Sequence, residues 1–419
     1  MNTVLKHKIK KEVQNKIIFV KWVVFALLTG VLVGLCSCGF HFVFTIANII
    51  RTQNSWIVYF LPVGGLAIVA LYHMLKGEND GGTNLVISAI HSGDHIPLRM
   101  APLIFISTTL THLFGGSVGR EGAALQIGGS IGNTLGDVFK FDKKDTNTMI
   151  MCGMSAAFAV LFGTPMAAAI FPMELVSVGI MHYMALVPCV ISALTAHGIA
   201  TYLGVSHSTF ILDVVPTFKI GSAIEVSVIA ILCAFISVLF CTVLHMTEDT
   251  LKKKIPNPYL RIFLIGSFLV IMNIVIGPAN KVGTSISILE ECMIGTVLPY
   301  IFLLKIVYTA LTLGSGFKGG EIVPSIFVGA AFGNVMGQLL GIDPAFCAAI
   351  GAIALFCGVT NSPITALLIG FELFGYEAMP YYLITVAFSY VLSGYSGAYR
   401  SQKIMYSKYK TDFINKHTT

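Results

Sequence analysis

Charge is what this chain has least of. Asp, Glu, Lys and Arg make up only 11% of its 419 residues, against 55% hydrophobic types and a mean hydropathy of +0.83. A water-soluble chain of this size needs far more charge to cover its surface, which excludes a soluble enzyme or binding domain and predicts a polytopic membrane protein. Cysteine is present but unpatterned. Cys36, Cys38, Cys233, Cys241, Cys347 and Cys357 lie inside apolar runs without tight ligand spacing, so they read as small buried hydrophobes and no metal or cofactor is expected. His91, His95 and His112 are scattered and form no pair with a nucleophile, which argues against a membrane enzyme. The basic segments have no interleaved aromatics, so nucleic acid is not an expected partner. The N-terminus also lacks a small-residue cleavage site ahead of its first apolar stretch, which predicts an uncleaved helix rather than a signal peptide.

Several apolar runs also fall short of a full-length span. Apolar runs such as 100–114, 123–138, 149–161 and 364–374 are shorter than the ~20 residues of a perpendicular crossing. Short segments interrupted by Gly and Pro predict helices that stop inside the membrane, where irregular backbone is tolerated only around a buried site. The few charges are concentrated. Lys6, Lys8, Lys10, Lys11 and Lys16 precede the first span; Arg400, Lys403, Lys408, Lys410 and Lys416 follow the last; the loops 140–145 and 252–258 are basic as well. The positive-inside rule makes all four cytoplasmic, and with them both termini. The expected organisation is a cytoplasmic tail 1–16, transmembrane repeats 17–205 and 206–398, and a short tail 399–419 with no regulatory domain.

The two halves repeat. A shift of 198 places Gly153 on Gly351, Phe158 on Phe356, Pro165 on Pro363 and Glu174 on Glu372. A shift of 201 places Gly119 on Gly320, Gly128 on Gly329, Gly132 on Gly333 and Asn133 on Asn334. Matching discontinuous helices in two halves is a transporter-type architecture with its site near the midplane, and the sequence leaves open whether the repeats are parallel or inverted.

Three glycine-rich loops lead into apolar segments: Gly81-Gly82-Thr83-Asn84, Gly115-Gly116-Ser117-Val118-Gly119-Arg120-Glu121-Gly122, and Gly314-Ser315-Gly316 through Gly319-Gly320-Glu321-Ile322-Val323-Pro324. Helix N-termini converging in a bilayer make an anion site from unpaired amides and the helix dipole. Glu121, at or near a helix start, is a candidate occupant of that site whose protonation would release it to a substrate anion; the alternative is a simple capping acid. For Glu321 the choice lies between facing an anion alongside the Ile322 amide and capping its helix or pairing with Lys318. Thr83 and Asn84 offer donors to an anion or an ordinary N-cap. Arg120 and Lys305 are cations at membrane depth that attract anions or balance nearby acids. Glu174 and Glu372 are either proton-relay groups or paired structural acids. Tyr395, Tyr399 and Tyr406 close the last span, where a phenol can donate to a pore anion.

These loops, in this order along the whole chain, resemble the CLC family of chloride channels and anion/proton antiporters. Gly119-Arg120-Glu121-Gly122 with Gly128-Gly129-Ser130-Ile131-Gly132 is similar to that family's second selectivity motif, and Gly319-Gly320-Glu321-Ile322-Val323-Pro324 to its third. The resemblance implies an all-α CLC-type fold with two inverted repeats, short helices meeting at a midplane anion site, a homodimer in the cell membrane, and Glu121 as the external gating glutamate. Departures are specific. Gly82-Thr83-Asn84-Leu85-Val86 stands where the first motif is usually Gly-Ser-Gly-Ile-Pro; Ala123 replaces the usual Pro; Leu175 stands where chloride/proton exchangers commonly carry an internal glutamate; and the third motif carries Glu321 where chloride-type members have an apolar residue. This pattern is similar to the bacterial fluoride/proton antiporter branch, with a chloride channel or chloride/proton exchanger as the alternative. On this resemblance the anion contacts fall on Gly82, Thr83, Asn84, Gly119, Arg120, Gly122, Gly320, Ile322 and Val323, with either Tyr399 or Tyr406.

Overall fold

Long apolar stretches become helices longer than a bilayer, and glycine-broken ones become pairs of short helices. The computed structural model describes residues 2–77, 81–207, 209–276 and 285–419. In the first half, α1 (Asn2–Gln53) is followed by a 3-10 turn and α2 (Leu61–Met74), then α3 (Thr83–Ser92), α4 (Met100–Leu113), α5 (Glu121–Val138), α6 (Lys143–Phe162), α7 (Pro165–Val176) and α8 (Leu186–Tyr202). The second half contains α9 (Ile220–Lys254), α10 (Pro258–Ile276), α11 (Ser285–Ile294), α12 (Ile301–Ser315), α13 (Ile322–Leu340), α14 (Pro344–Thr360), α15 (Pro363–Phe374) and α16 (Met379–Leu392). Seven described helical segments are long and apolar enough to cross a membrane, and six more are apolar but run only 10–17 residues. Asp80, which precedes the first glycine loop, lies outside the described residues.

The sequence repeat is a structural repeat. Helix α6 starts on Asp142, whose carboxylate accepts from the Asp145 amide at 2.8 Å, and α14 starts on Asp343, which accepts from Phe346 at 2.8 Å. Helices α7 and α15 each begin with a proline in the first turn, where its missing N–H costs nothing. The matched glycines let backbones touch: a Cβ on Gly128 would stand 2.1 Å from the Gly153 carbonyl oxygen, and one on Gly329 2.2 Å from that of Gly351. Thus α5 packs on α6 as α13 packs on α14, burying one continuous core that includes Phe158, Phe171 and Phe356.

The paired acids Glu174 and Glu372 link the halves reciprocally. Glu174, near the end of α7, accepts from the Ile364 amide (3.0 Å), the Thr365 amide (2.7 Å) and the Thr365 hydroxyl (2.6 Å) at the start of α15. Glu372, near the end of α15, accepts from the Met166 and Ala167 amides, both at 2.9 Å, at the start of α7. Each carboxylate caps the other helix, satisfying donors that the helix itself leaves unpaired. Of the two alternatives for these residues, this geometry is that of structural acids.

The segments expected as tails are built into the fold. Helix α1 continues through residues 2–16, and at ~1.5 Å per residue its 52 residues far exceed a ~30 Å hydrocarbon core. After α16 the chain forms β2 (Lys403–Tyr406), parallel to β1 (Ser177–Val178), and β3 (Phe413–His417), antiparallel to β2. A chain of contacts gathers the basic segments at one end. Lys21 pairs with Asp145 at 2.6 Å, Lys143 donates to the Ser92 carbonyl at 2.5 Å, His91 donates to the Val176 carbonyl at 2.8 Å, β1 pairs with β2, and Arg400 meets Asp249 at 2.7 Å.

Candidate anion site

The glycine loops before α5 and α13 meet head to head. Gly119 donates to the Gly320 carbonyl at 2.6 Å and Gly320 donates back to that of Gly119 at 2.7 Å, an isolated antiparallel pair. Residues equivalent by the 201 shift bonded antiparallel are what a two-fold axis between inverted repeats produces. Neither Gly320 nor Gly122 has room for a side chain: a Cβ on Gly320 would lie 2.5 Å from the Gly122 amide nitrogen, and one on Gly122 2.8 Å from the Gly320 Cα. Helix α3 joins them through its first residue. The Thr83 hydroxyl lies 3.4 Å from the Gly122 carbonyl and accepts from the Gln126 amide at 3.2 Å, while Gly82 caps the helix with φ +62.

The two acids beyond the bonded glycines face opposite ways. Glu121, buried at the first turn of α5, lines a cavity of about 560 Å³ with His41, Arg51, Arg120, His207, Val323 and Phe327. Glu321, the residue before α13, lines a second cavity of about 170 Å³ with Gly82, Thr83, Asn84, Gln126, Glu248 and Arg400. The smaller cavity opens at the basic end of the molecule, beside the last turns of α9; the larger is lined by the far end of α1, from His41 to Thr52.

Glu121 folds back over its own loop, so that a Cβ on Gly119 would be 2.5 Å from its Oε2. Its carboxyl faces the backbone amides of Arg120, Glu121 and Val323, Oε1 lies 3.7 Å from Arg120 Nε, and Oε2 makes no hydrogen bond. Arg51 is buried in the same wall, donating to the His112 carbonyl at 3.1 Å, and Lys305 is buried with its ammonium 5.5 Å from the Phe327 ring. The guanidinium groups of Arg51 and Arg120 thus stand beside Glu121 in this cavity.

The structure separates the two candidate tyrosines. Tyr399 is fully buried, and its phenol faces Glu321 first and Glu121 beyond it. Its backbone is clamped by the Thr418 hydroxyl, which donates to the Tyr399 carbonyl at 2.6 Å, and by the neighbouring Ser401 amide, which donates to Asn84 Oδ1 at 3.0 Å. Tyr406 is 44% exposed in β2, its ring 5.5 Å from Phe413, and it lines neither cavity; alternation along the strand carries it outward. Ile322 is packed in the core, so that residue can offer the site only its backbone. Gln126 is the site residue that the motifs missed. An amide among small and apolar residues one turn beyond Gly122 was the available signal.

A family sequence model described as voltage gated chloride channel matches residues 64–394. The chain belongs to this family. Among its relatives, a chloride/fluoride channel protein of Pseudomonas syringae pv. tomato is 35% identical over 396 residues, covering 93% of this chain and 88% of the relative. An H+/Cl− exchange transporter of Vibrio cholerae is 24% identical, covering 83% of this chain and 81% of its own. A crystal structure of a CLC-type fluoride/proton antiporter superposes with a TM-score of 0.88 at 30% identity, covering 92% of this chain and 98% of that one. The CLC fold, membrane-spanning and helical, thus accounts for the paired loops.

Proposed function

We propose that this CLC protein exports fluoride in exchange for protons, with Glu121 as the protonatable gate. The observation that carries the reading is the bonded Gly119–Gly320 pair with an acid on each side, Glu121 toward the larger cavity and Glu321 toward the smaller. Ionised Glu121 occupies the seat formed by helix-terminal amides; protonated, it loses that attraction and yields the seat to an anion. The substrate choice rests on the inner half. Fluoride is small and strongly hydrated, so dehydrating it demands several close donors. Thr83, the Tyr399 phenol, the amides of α13 and a protonated Glu321 supply them. Similarity to a chloride/fluoride channel protein and to a fluoride/proton antiporter supports the same choice.

The basic end, by the positive-inside rule, faces the cytoplasm with both termini, and the smaller cavity is then the inner mouth. The repeats divide at about residue 205, the protein resides in the cell membrane, and it works as a homodimer with one pathway per subunit. Purified protein in liposomes loaded with fluoride or chloride, read by ion-selective and pH electrodes, tests the function. Fluoride efflux should exceed chloride efflux and drive protons the other way; equal efflux of the two halides would overturn the fluoride reading. Glu121→Gln, which cannot titrate, should uncouple the protons, and a wild-type proton flux per anion in that variant would remove Glu121 from the mechanism.

A further inference from the structure

A small sheet in an otherwise helical chain leads to the backbone of Tyr399. The segment holding Tyr399, between α16 and β2, is not helical, so no hydrogen-bond ladder of its own fixes where the phenol stands. Bonds to distant residues do so instead, and Gln402 is the fixed post. Its side chain is fully buried: Nε2 donates to the Leu175 carbonyl at 2.9 Å and to the Thr360 carbonyl at 2.8 Å, while Oε1 accepts from Asn361 at 2.9 Å. Leu175 lies in α7 and Thr360 ends α14, so one amide grips a helix of each repeat. The antiparallel register of β2 and β3, with Lys403 opposite His417, carries on for one more step, where the Thr418 amide donates to the Gln402 carbonyl at 3.1 Å. From there the Thr418 hydroxyl reaches the Tyr399 carbonyl at 2.6 Å. Gly397 leaves room for it: a Cβ there would lie 3.1 Å from the Thr418 methyl.

We infer that Thr418 is a positioning residue for transport: the sheet carries its hydroxyl to the Tyr399 carbonyl, and that bond, braced on Gln402, sets the reach of the phenol toward Glu321. The inference rests on the reading of Tyr399 as an anion contact. Thr418 lines neither cavity, so it acts only through the residue it holds. The Tyr399 carbonyl also accepts from the Gln402 amide at 2.9 Å, but that bond closes a turn within the segment and leaves the tilt of the turn open. Thr418 supplies the second bond from outside the segment. The phenol oxygen is the far end of a long, rigid side chain, so a slight tilt of the backbone is magnified there. An anion dehydrated by a few close donors loses one of them when that donor stands beyond hydrogen-bond reach.

The test is fluoride efflux from liposomes with variants of the full chain, made with and without the Tyr399 hydroxyl. Thr418→Val and Thr418→Ala both remove the donor, the first keeping the side-chain shape, and turnover should fall about three- to tenfold, the scale of one hydrogen bond. Thr418→Ser keeps the donor and should stay within about twofold of wild type. In Tyr399→Phe there is no hydroxyl to place, so adding Thr418→Val should change turnover by less than about twofold. A general loosening of the fold would slow both backgrounds alike. Wild-type turnover in Thr418→Val, an equal loss in the two backgrounds, or a Thr418→Ser variant as slow as Thr418→Val overturns the inference. Fluorine NMR of 3-fluorotyrosine placed at position 399 reads the phenol without transport. Thr418→Val or Thr418→Ala should shift or broaden that resonance and Thr418→Ser should leave it in place; a resonance unmoved by loss of the donor overturns the inference. Wild-type turnover in Tyr399→Phe alone would instead remove the phenol from the anion site, a separate result from the displacement that NMR reads.

Discussion

Removing Glu174 should cost more stability than removing its repeat counterpart Glu372, and should leave proton coupling intact. Glu174 is buried and accepts three hydrogen bonds, two of them from the fully buried Thr365; Glu372 accepts two and is partly exposed, with one donor on the exposed Met166. Hydrogen bonds to a charged acceptor contribute about 1.5–3 kcal/mol each, and orphaned buried donors keep their desolvation cost. Such bonds are not additive, so Glu174→Ala is expected to lose about 3–5 kcal/mol and Glu372→Ala about 1.5–3 kcal/mol. Glu174→Gln sits between: its amide oxygen can keep both Thr365 bonds, while its NH2 opposes the Ile364 amide, a loss of about 1–2 kcal/mol. Thermal unfolding in detergent should rank the midpoints Glu174→Ala, then Glu174→Gln, then wild type, with Glu372→Ala above Glu174→Ala. Protons moved per anion, measured in liposomes on whatever folds, should equal the wild-type ratio in all three variants. An altered ratio in Glu174→Gln at unchanged unfolding midpoint would refute the structural role and return Glu174 to the proton route.

Other expectations can be checked with the same two assays. Tyr399→Phe removes a buried hydroxyl that faces Glu321, so stability should change by no more than about 1 kcal/mol while fluoride turnover falls; unchanged turnover would show that the phenol does not touch the anion. Gly128→Ala and Gly329→Ala drive a Cβ to 2.1 and 2.2 Å from facing carbonyl oxygens, which should destabilise by at least about 1–3 kcal/mol. Gly39→Ala in α1, with nothing within 4 Å of its Cβ, should instead stabilise by about 0.5–1 kcal/mol in the same unfolding assay. Gln126→Leu removes the donor to Thr83 and should weaken fluoride binding about fivefold, read as a raised KM at little changed proton ratio.

Composition alone determined that the chain lives in a bilayer, because too few charges exist to solvate its surface. The 198- and 201-residue shifts determined that it has two halves, because glycine at a backbone crossing and proline in a first turn answer local demands that recur wherever the same helix pair is built. The gating candidate Glu121 was legible because its glycine neighbours and the apolar run after it mark a helix start. Other features were not legible, since they depend on which distant residues meet. Glu174 and Glu372 look alike in sequence, and only the reciprocal capping across the halves made them structural acids. Tyr399 and Tyr406 are seven residues apart on one segment, and only the pairing of β2 with β1 and β3 sent one into the site and the other out. That Glu121 and Glu321 face separate cavities follows from an antiparallel contact between Gly119 and Gly320, residues 201 apart in sequence. Sequence reports local propensity and burial, while inversion is a relation between two segments, and it came into being only when their backbones paired.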